Sequence, residues 1–302
     1  MIRRIVPLAF DSFGVRSMAT FIETDDARIL IDPGAALAPV RHGLGPHFLE
    51  WRRLDECWAE IERHAEEADM LVVTHYHYDH HDPDYPEIYK GKTVLVKHPT
   101  ENINISQSER AATLLRAIEG LPKKLEIADG RKFQTGKTTV TFSNAVCHGT
   151  TPRLGYVVEV SVRNGDEKFL YTSDVEGPAL REQISFILKE KPDFLFVDGP
   201  MTYMLGYRYS HRSLAISNKN LVKAIEKINL NTVVLDHHLL RDLDYRKRVK
   251  PVNDVAEKRG INVVTAAEFC GRKIEMLEAH RAELYEKYGE IEVKGKKRLS
   301  EE

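Results

Sequence analysis

Apolar and β-branched positions open the chain in three short runs, at 2–10, 18–24 and 27–31, parted by turn residues. That spacing predicts the first strands of a sheet. Over 49–67 the apolar positions instead recur at helical intervals, and a helix is expected there. The unbroken Met-Leu-Val-Val at 70–73 reads as a strand buried on both faces. A strand at 93–97 and a helix at 106–119 follow, then strands at 132–134, 138–146, 155–162 and 167–171. Thr-Gly-Lys and Asn-Gly-Asp turns join the last group, the second being a hairpin signal. A strand at 193–197, a helix from Ser210 to about residue 228 and a strand at 232–235 come next. A helix after Pro251 and a strand at 261–265 finish the core, with a long charged helix expected at 273–288.

Two strands then a helix, twice over, describes an α/β chain built of two similar halves. No low-complexity linker parts them, so 1–272 is read as one domain with a helical insertion at about 82–125 covering one side of the site. Residues 273–302 form a charged helical extension whose basic end, 294–298, reads as a solvated tail.

Composition narrows the class without naming a partner. Of 302 residues, 42% are hydrophobic and 30% charged, as in a soluble globular protein. A net charge of −2 supplies no global attraction for nucleic acid or acidic membranes. No apolar run approaches membrane-spanning length and the N-terminus lacks a signal-peptide core, so no membrane partner is expected. Cys57, Cys147 and Cys270 are widely spaced and form no CxxC pair, which fits a reducing cytoplasm. Cys147 precedes a histidine but reads as a buried thiol.

The chemistry concentrates where the strand at 70–73 ends. Thr74-His75-Tyr76-His77-Tyr78-Asp79-His80-His81 crowds imidazoles and a carboxylate into one exit loop. Those groups are the common protein ligands of zinc and similar cations. His75 and His77, two apart, face the same way in extended backbone and can reach one ion; Asp79 and His80 can face a second. Other candidates also sit at expected strand ends: Asp32, His148, Asp174, Asp198 and the pair His237 and His238. Asp32 reads equally as a turn residue in Asp-Pro-Gly.

The spacing His-x-His-x-Asp-His resembles the signature of the metallo-β-lactamase-fold hydrolases, nearest to uncharacterised predicted metal-dependent members. The likeness spans roughly residues 1–270 and implies a four-layer αβ/βα sandwich of that type. It implies a pair of divalent cations, Zn2+ before Fe or Mn. His75, His77 and His148 would take one, Asp79, His80 and His237 the other, and Asp174 would bridge both. His237 fits the last ligand best by register, with His238 the second choice. Asp32 would brace the metal loop, and Asp198 would do the same or meet substrate.

The resemblance further implies a hydrolase using a metal-bridged hydroxide, oriented by Asp79, on a phosphodiester, ester, thioester or lactone. A local likeness to the tRNA 3′-processing endonucleases at Ser210-His211-Arg212-Ser213 would make His211 a general acid. It keeps a nuclease acting on RNA or DNA as the alternative, with the basic cluster Arg246-Lys247-Arg248-Val249-Lys250 as its candidate contact. A non-hydrolytic diiron protein is a third reading, disfavoured because such relatives carry glutamate where His77 stands. Oligomeric state is not legible.

Overall fold

The three opening runs become β1 (Ile2–Pro7), β2 (Thr20–Thr24) and β3 (Arg28–Ile31), paired antiparallel in sequence. The structure is a computed structural model and describes residues 1–290; the basic stretch at 294–298 lies outside the described residues. Helix α1 (Phe48–Glu67) then crosses to β4 (Met70–Val73), which lies parallel to β3. At its start the Glu50 carboxylate accepts from the His47 backbone amide at 2.9 Å, satisfying a helix-terminal donor. Its Trp51, Leu54, Trp58, Ile61 and Ala65 form the buried stripe. Each large side chain so buried contributes about 1.5–3 kcal/mol. Strand β5 (Thr93–Val96), helix α2 (Ile105–Ala117) and β6 (Lys124–Ile127) complete a six-stranded sheet in chain order.

The second half repeats the plan. Strands β7 (Lys132–Thr135) and β8 (Thr138–Phe142) are followed by a separate two-stranded ribbon, β9 (Val146–Cys147) with β10 (Tyr156–Val157). Strands β11 (Val160–Asn164) and β12 (Glu167–Tyr171) are antiparallel; α3 (Arg181–Glu190) then leads to β13 (Phe194–Asp198), parallel to β12. Helix α4 (His211–Lys227) leads to β14 (Thr232–Asp236). The short α5 (Tyr245–Arg248) and α6 (Lys250–Arg259) bring in β15 (Asn262–Val264). The seven strands lie in the order β15-β14-β13-β12-β11-β8-β7. Short α7 (Ala266–Phe269) and α8 (Arg281–Tyr288) close the chain.

One apolar cluster joins the facing sides of both sheets, with Ile22, Ile31 and Val72 from the first and Val160, Phe196 and Val234 from the second. Trp58 of α1 and Leu114 of α2 pack into the same cluster from the other side of the first sheet. A second cluster sets Ile187 of α3, Leu221 of α4 and Val252 of α6 against the outside of the second sheet. The result is the four-layer αβ/βα sandwich expected. Among the described residues, no helix is long and apolar enough to cross a membrane.

Several boundaries differ from expectation. The run at 138–146 is two strands in different sheets, as is 155–162. At the break Ser143 and Glu159 face each other: the Ser143 amide donates to the Glu159 carbonyl, and the Glu159 amide to the Ser143 hydroxyl. Helix α3 was not foreseen, although Ile184 and Ile187 lie on one buried face. The segment expected as an insertion supplies β5, in the interior of the first sheet, as well as α2. Of the helix expected at 273–288, Arg281–Tyr288 is helical. Its first residue and the segment before it are tied to the core by buried ion pairs, Arg281 with Glu50 and Glu278 with Arg16.

Candidate metal centre

All the candidate groups except His211 lie at the carboxyl-terminal ends of strands, where α/β sheets collect ligands. Four residues of the exit loop, His75, His77, Asp79 and His80, follow β4, and Asp32 follows its neighbour β3. Asp174 follows β12, Asp198 ends β13 and His237 follows β14. His148 follows β9 of the small ribbon, whose loop is held by Gln183, donating to the carbonyls of Cys147 and Gly149 at 3.0 and 2.8 Å.

Asp174 is the centre. Its Oδ1 lies 3.0 Å from His80 Nε2. Its Oδ2 lies 3.3 Å from Nε2 of both His148 and His237 and 3.5 Å from that of His75. Around it two sets form, each with ligand atoms within 4.8 Å of one another: His75, His77 and His148 with Asp174, and Asp79, His80 and His237 with Asp174. The residues expected as two trios are thus brought together around Asp174. Asp174 and all six trio residues are buried.

Buried polar atoms ordinarily find partners, and here several do not. Both Asp79 oxygens, Asp174 Oδ1 and Nε2 of His75 and His80 are buried without an aligned hydrogen bond. Imidazole nitrogens and carboxylate oxygens, aimed inward at one another without bonding, make a donor set that fits divalent cations of the zinc type.

The tautomers are set from behind. Asp32, in the left-handed region at φ 50°, accepts from the Thr74 amide at 2.7 Å and the Thr74 hydroxyl at 2.6 Å. It also accepts from the Tyr171 hydroxyl at 2.8 Å and from His80 Nδ1 at 2.9 Å, so His80 turns Nε2 inward. Asp32 is therefore a brace, and its loop needs Gly34: a Cβ there would stand 2.2 Å from the His81 amide nitrogen. His237 donates from Nδ1 to Asp11 at 2.6 Å and likewise presents Nε2. His75 Nδ1 lies 3.3 Å from the Ser173 and Thr74 hydroxyls, and Glu176 Oε1 stands 3.5 Å behind His148 Nδ1. A side-chain partner on the outer nitrogen fixes ring orientation and raises ligand basicity.

The neighbouring histidines keep different company. His237 meets Asp174, whereas His238 donates to Asp198 at 3.0 Å. Asp198 also accepts the Glu176 amide at 2.6 Å, so it supports the loop beneath Asp174. His211 is exposed on the first turn of α4 and lies outside both sets. His98 accepts the Glu101 amide at 2.9 Å in a local turn.

Electrostatically the cluster calls for positive charge. Burial alone would raise the Asp174 carboxyl, but positive charge on His80 and His237 outweighs it and holds the group well below the ordinary range. Burial opposes charge on His148, yet Asp174 and Glu176 push it up to about 10. His80 and His237 are also buried and also raised, chiefly by Asp174. His75 goes the other way, to about 3, through burial and the neighbouring His80 charge. Protons and metal cations are the alternative ways to balance these carboxylates.

Three functional side chains escaped the sequence reading: Asp11, Glu176 and Arg241. Asp11 sits in a turn after β1 and accepts from Arg241 Nε at 2.8 Å. The only signal near Arg241 was its place four residues after His237, one helical turn along.

Comparison with known proteins agrees with this picture. A β-lactamase superfamily domain model matches residues 27–238. A UPF0282 protein of Korarchaeum cryptofilum is 54% identical over 286 residues, spanning 94% of this chain and 95% of its own length. A UPF0282 protein of Metallosphaera sedula is 50% identical over 286 residues, spanning 93% and 92%. Among solved structures, a mutant of CmlA β-hydroxylase superposes at a TM-score of 0.51 with 14% identity, over 83% of this chain and 51% of that one. At such identity the likeness speaks to fold alone.

Proposed function

This chain belongs to the β-lactamase superfamily and, within it, to the family of the UPF0282 proteins, and from that membership we propose that it is a dinuclear metal-dependent hydrolase. The carrying observation is Asp174, ringed by four imidazole Nε2 atoms at 3.0 to 3.5 Å. His75, His77 and His148 would hold one cation, Asp79, His80 and His237 the other. Zinc suits so many imidazoles. When bound, the cations supply Lewis acidity and bring the pKa of a shared water from ~16 toward ~7. Asp79 has both oxygens buried and unbonded, so it can ligate and also accept a proton from the attacking water.

Substrates of the ester, thioester, lactone or phosphodiester class suit the site's enclosure. His77 is the most exposed of the expected ligands at 4%, and the others are at 0 or 1%. A reacting group must therefore enter as a narrow projection. Two observations weigh against a nuclease. His211 is outside the cluster, and the basic residues after β14 are matched by acids. Arg246 pairs with Glu268 at 2.7 Å, Lys247 with Asp244 at 2.7 Å, Arg248 with Asp242 at 3.0 Å and Lys250 with Asp254 at 2.6 Å.

The test is metal quantification of the purified protein with a screen against chromogenic phosphodiesters, esters and lactones. His77→Ala should lower metal content and abolish turnover; full activity in that variant refutes the assignment. A nuclease assay across salt, with His211→Ala as control, separates the alternative.

A further inference from the structure

The two halves of the centre differ in one respect that their ligands do not announce. Arg241 is buried, at 1% exposure, and its guanidinium reaches into the second half. Nε donates to Asp11 Oδ1 at 2.8 Å, and Nη1 lies 3.5 Å from the Tyr203 hydroxyl. Nη2 then stands 3.3 Å from His237 Nε2 and 3.9 Å from Asp79 Oδ2. A guanidinium is a fixed cation with donors only, so Nη2 stands on the approach to the nitrogen that His237 would offer to a metal. The first half has different company: hydroxyls behind His75 and the Glu176 carboxylate behind His148.

We propose that Arg241 is a resident cation competing with the second metal, so that the His75–His77–His148 half loads first and the Asp79–His80–His237 half loads later and more weakly. This rests on the two-cation reading above. Asp79 gives the second half a ligand carboxylate that the first lacks, and the guanidinium at 3.9 Å offsets that charge. Asp11 produces both effects. It orients His237 as a ligand through one oxygen and aims Arg241 at the same ring through the other. Because three sides of the guanidinium are engaged, it cannot swing away without stripping Asp11 Oδ1 of its buried cationic partner.

The experiment is a calorimetric titration of chelator-stripped protein with Zn2+, with bound metal counted by mass spectrometry at each point. Wild type should load in two steps separated by about tenfold or more, the size that partners of metal ligands typically impart. His148→Ala should erase the tighter step and Asp79→Ala the weaker. Arg241→Met should tighten the weaker step by about tenfold, a gain that a merely structural residue would not give. Should that variant fold poorly around Asp11, Arg241→Gln, whose neutral amide can still donate to Asp11, removes the charge and carries the same expectation. Two equal steps in wild type, or an unchanged or weakened second step in both variants, overturn the proposal and leave the hydrolase reading standing. A protein that binds no Zn2+ at all overturns both.

Discussion

Exchanging one carboxylate oxygen of Asp32 for an amide nitrogen probes how the metal loop is held. In Asp32→Asn the backbone should survive, since Asn tolerates the left-handed region that φ 50° demands. The hydrogen bonds should not. Oδ2 serves three donors, the Thr74 and Tyr171 hydroxyls and His80 Nδ1, and Oδ1 serves the Thr74 amide. The amide's better orientation keeps its oxygen toward the three donors and sets its NH2 against the Thr74 amide, leaving two buried donors facing each other. That costs about 1–3 kcal/mol, and losing the charge weakens each remaining bond by up to ~1 kcal/mol. A net loss of about 2–4 kcal/mol follows for the metal-free protein. His80 also loses the carboxylate that holds its proton on Nδ1, so zinc affinity at its half should fall about 10- to 100-fold. Urea unfolding of the stripped protein followed by circular dichroism, with a zinc titration alongside, reads both effects. Stability within ~0.5 kcal/mol of wild type and unchanged affinity would reduce Asp32 to a turn residue.

Other consequences can be read as simply. Burial would raise the Glu278 carboxyl, but Arg16, in contact at 2.7 and 3.0 Å, lowers it from 4.5 to about 2. A depressed carboxyl stabilises fully above its unfolded pKa, so up to ~3 kcal/mol should be present above pH 4.5 and disappear as pH falls toward 2; urea midpoints from pH 6 to 3 should drop less steeply in Glu278→Gln. Arg281→Met strands Glu50 in the core and should cost about 3–5 kcal/mol, measured by thermal unfolding. Gly34→Ala forces a Cβ to 2.2 Å from the His81 amide and should lower both stability, by about 2 kcal/mol or more, and zinc content.

What the sequence disclosed and what it hid follow one physical division. The ligands were legible because each follows an apolar strand, and strand ends are fixed by local pattern: His75 after Val73, Asp174 two residues beyond Thr172, His237 just past Leu235 and Asp236. Their supporting groups were not, because they meet across the fold. Asp11 bonds His237 over 226 positions and Arg241 over 230, and no local spacing marks such a pair. Glu176 lies two residues past Asp174, but its role depends on Gly149, whose missing Cβ leaves room for the carboxylate; a Cβ there would stand 2.3 Å from Glu176 Oε2. Of the charged helix expected at 273–288, Arg281–Tyr288 is helical, and two of its charges are not solvated: Glu278 and Arg281 are buried in pairs with Arg16 and Glu50.

Backbone conformation explains why such distant support is needed. Seven described residues other than glycine have positive φ, and four of them, Asp32, Ser173, Glu176 and His237, adjoin this cluster. A strand continuing in extended backbone alternates its side chains between faces, so turning ligands from three strand ends toward one point requires departures from that path. Each costs on the order of 1 kcal/mol or more and persists only where its surroundings over-determine it. They do so here: Asp32 by four donors, Glu176 by its amide on Asp198, and His237 by Asp11 on its ring and Asp236 on its amide. Asp236 in turn accepts the amides of Ser12 and Ala266, joining the β1 loop, β14 and α7 at one carboxylate. The ligand geometry is thus set by hydrogen bonds between segments brought together only when both halves of the fold are assembled.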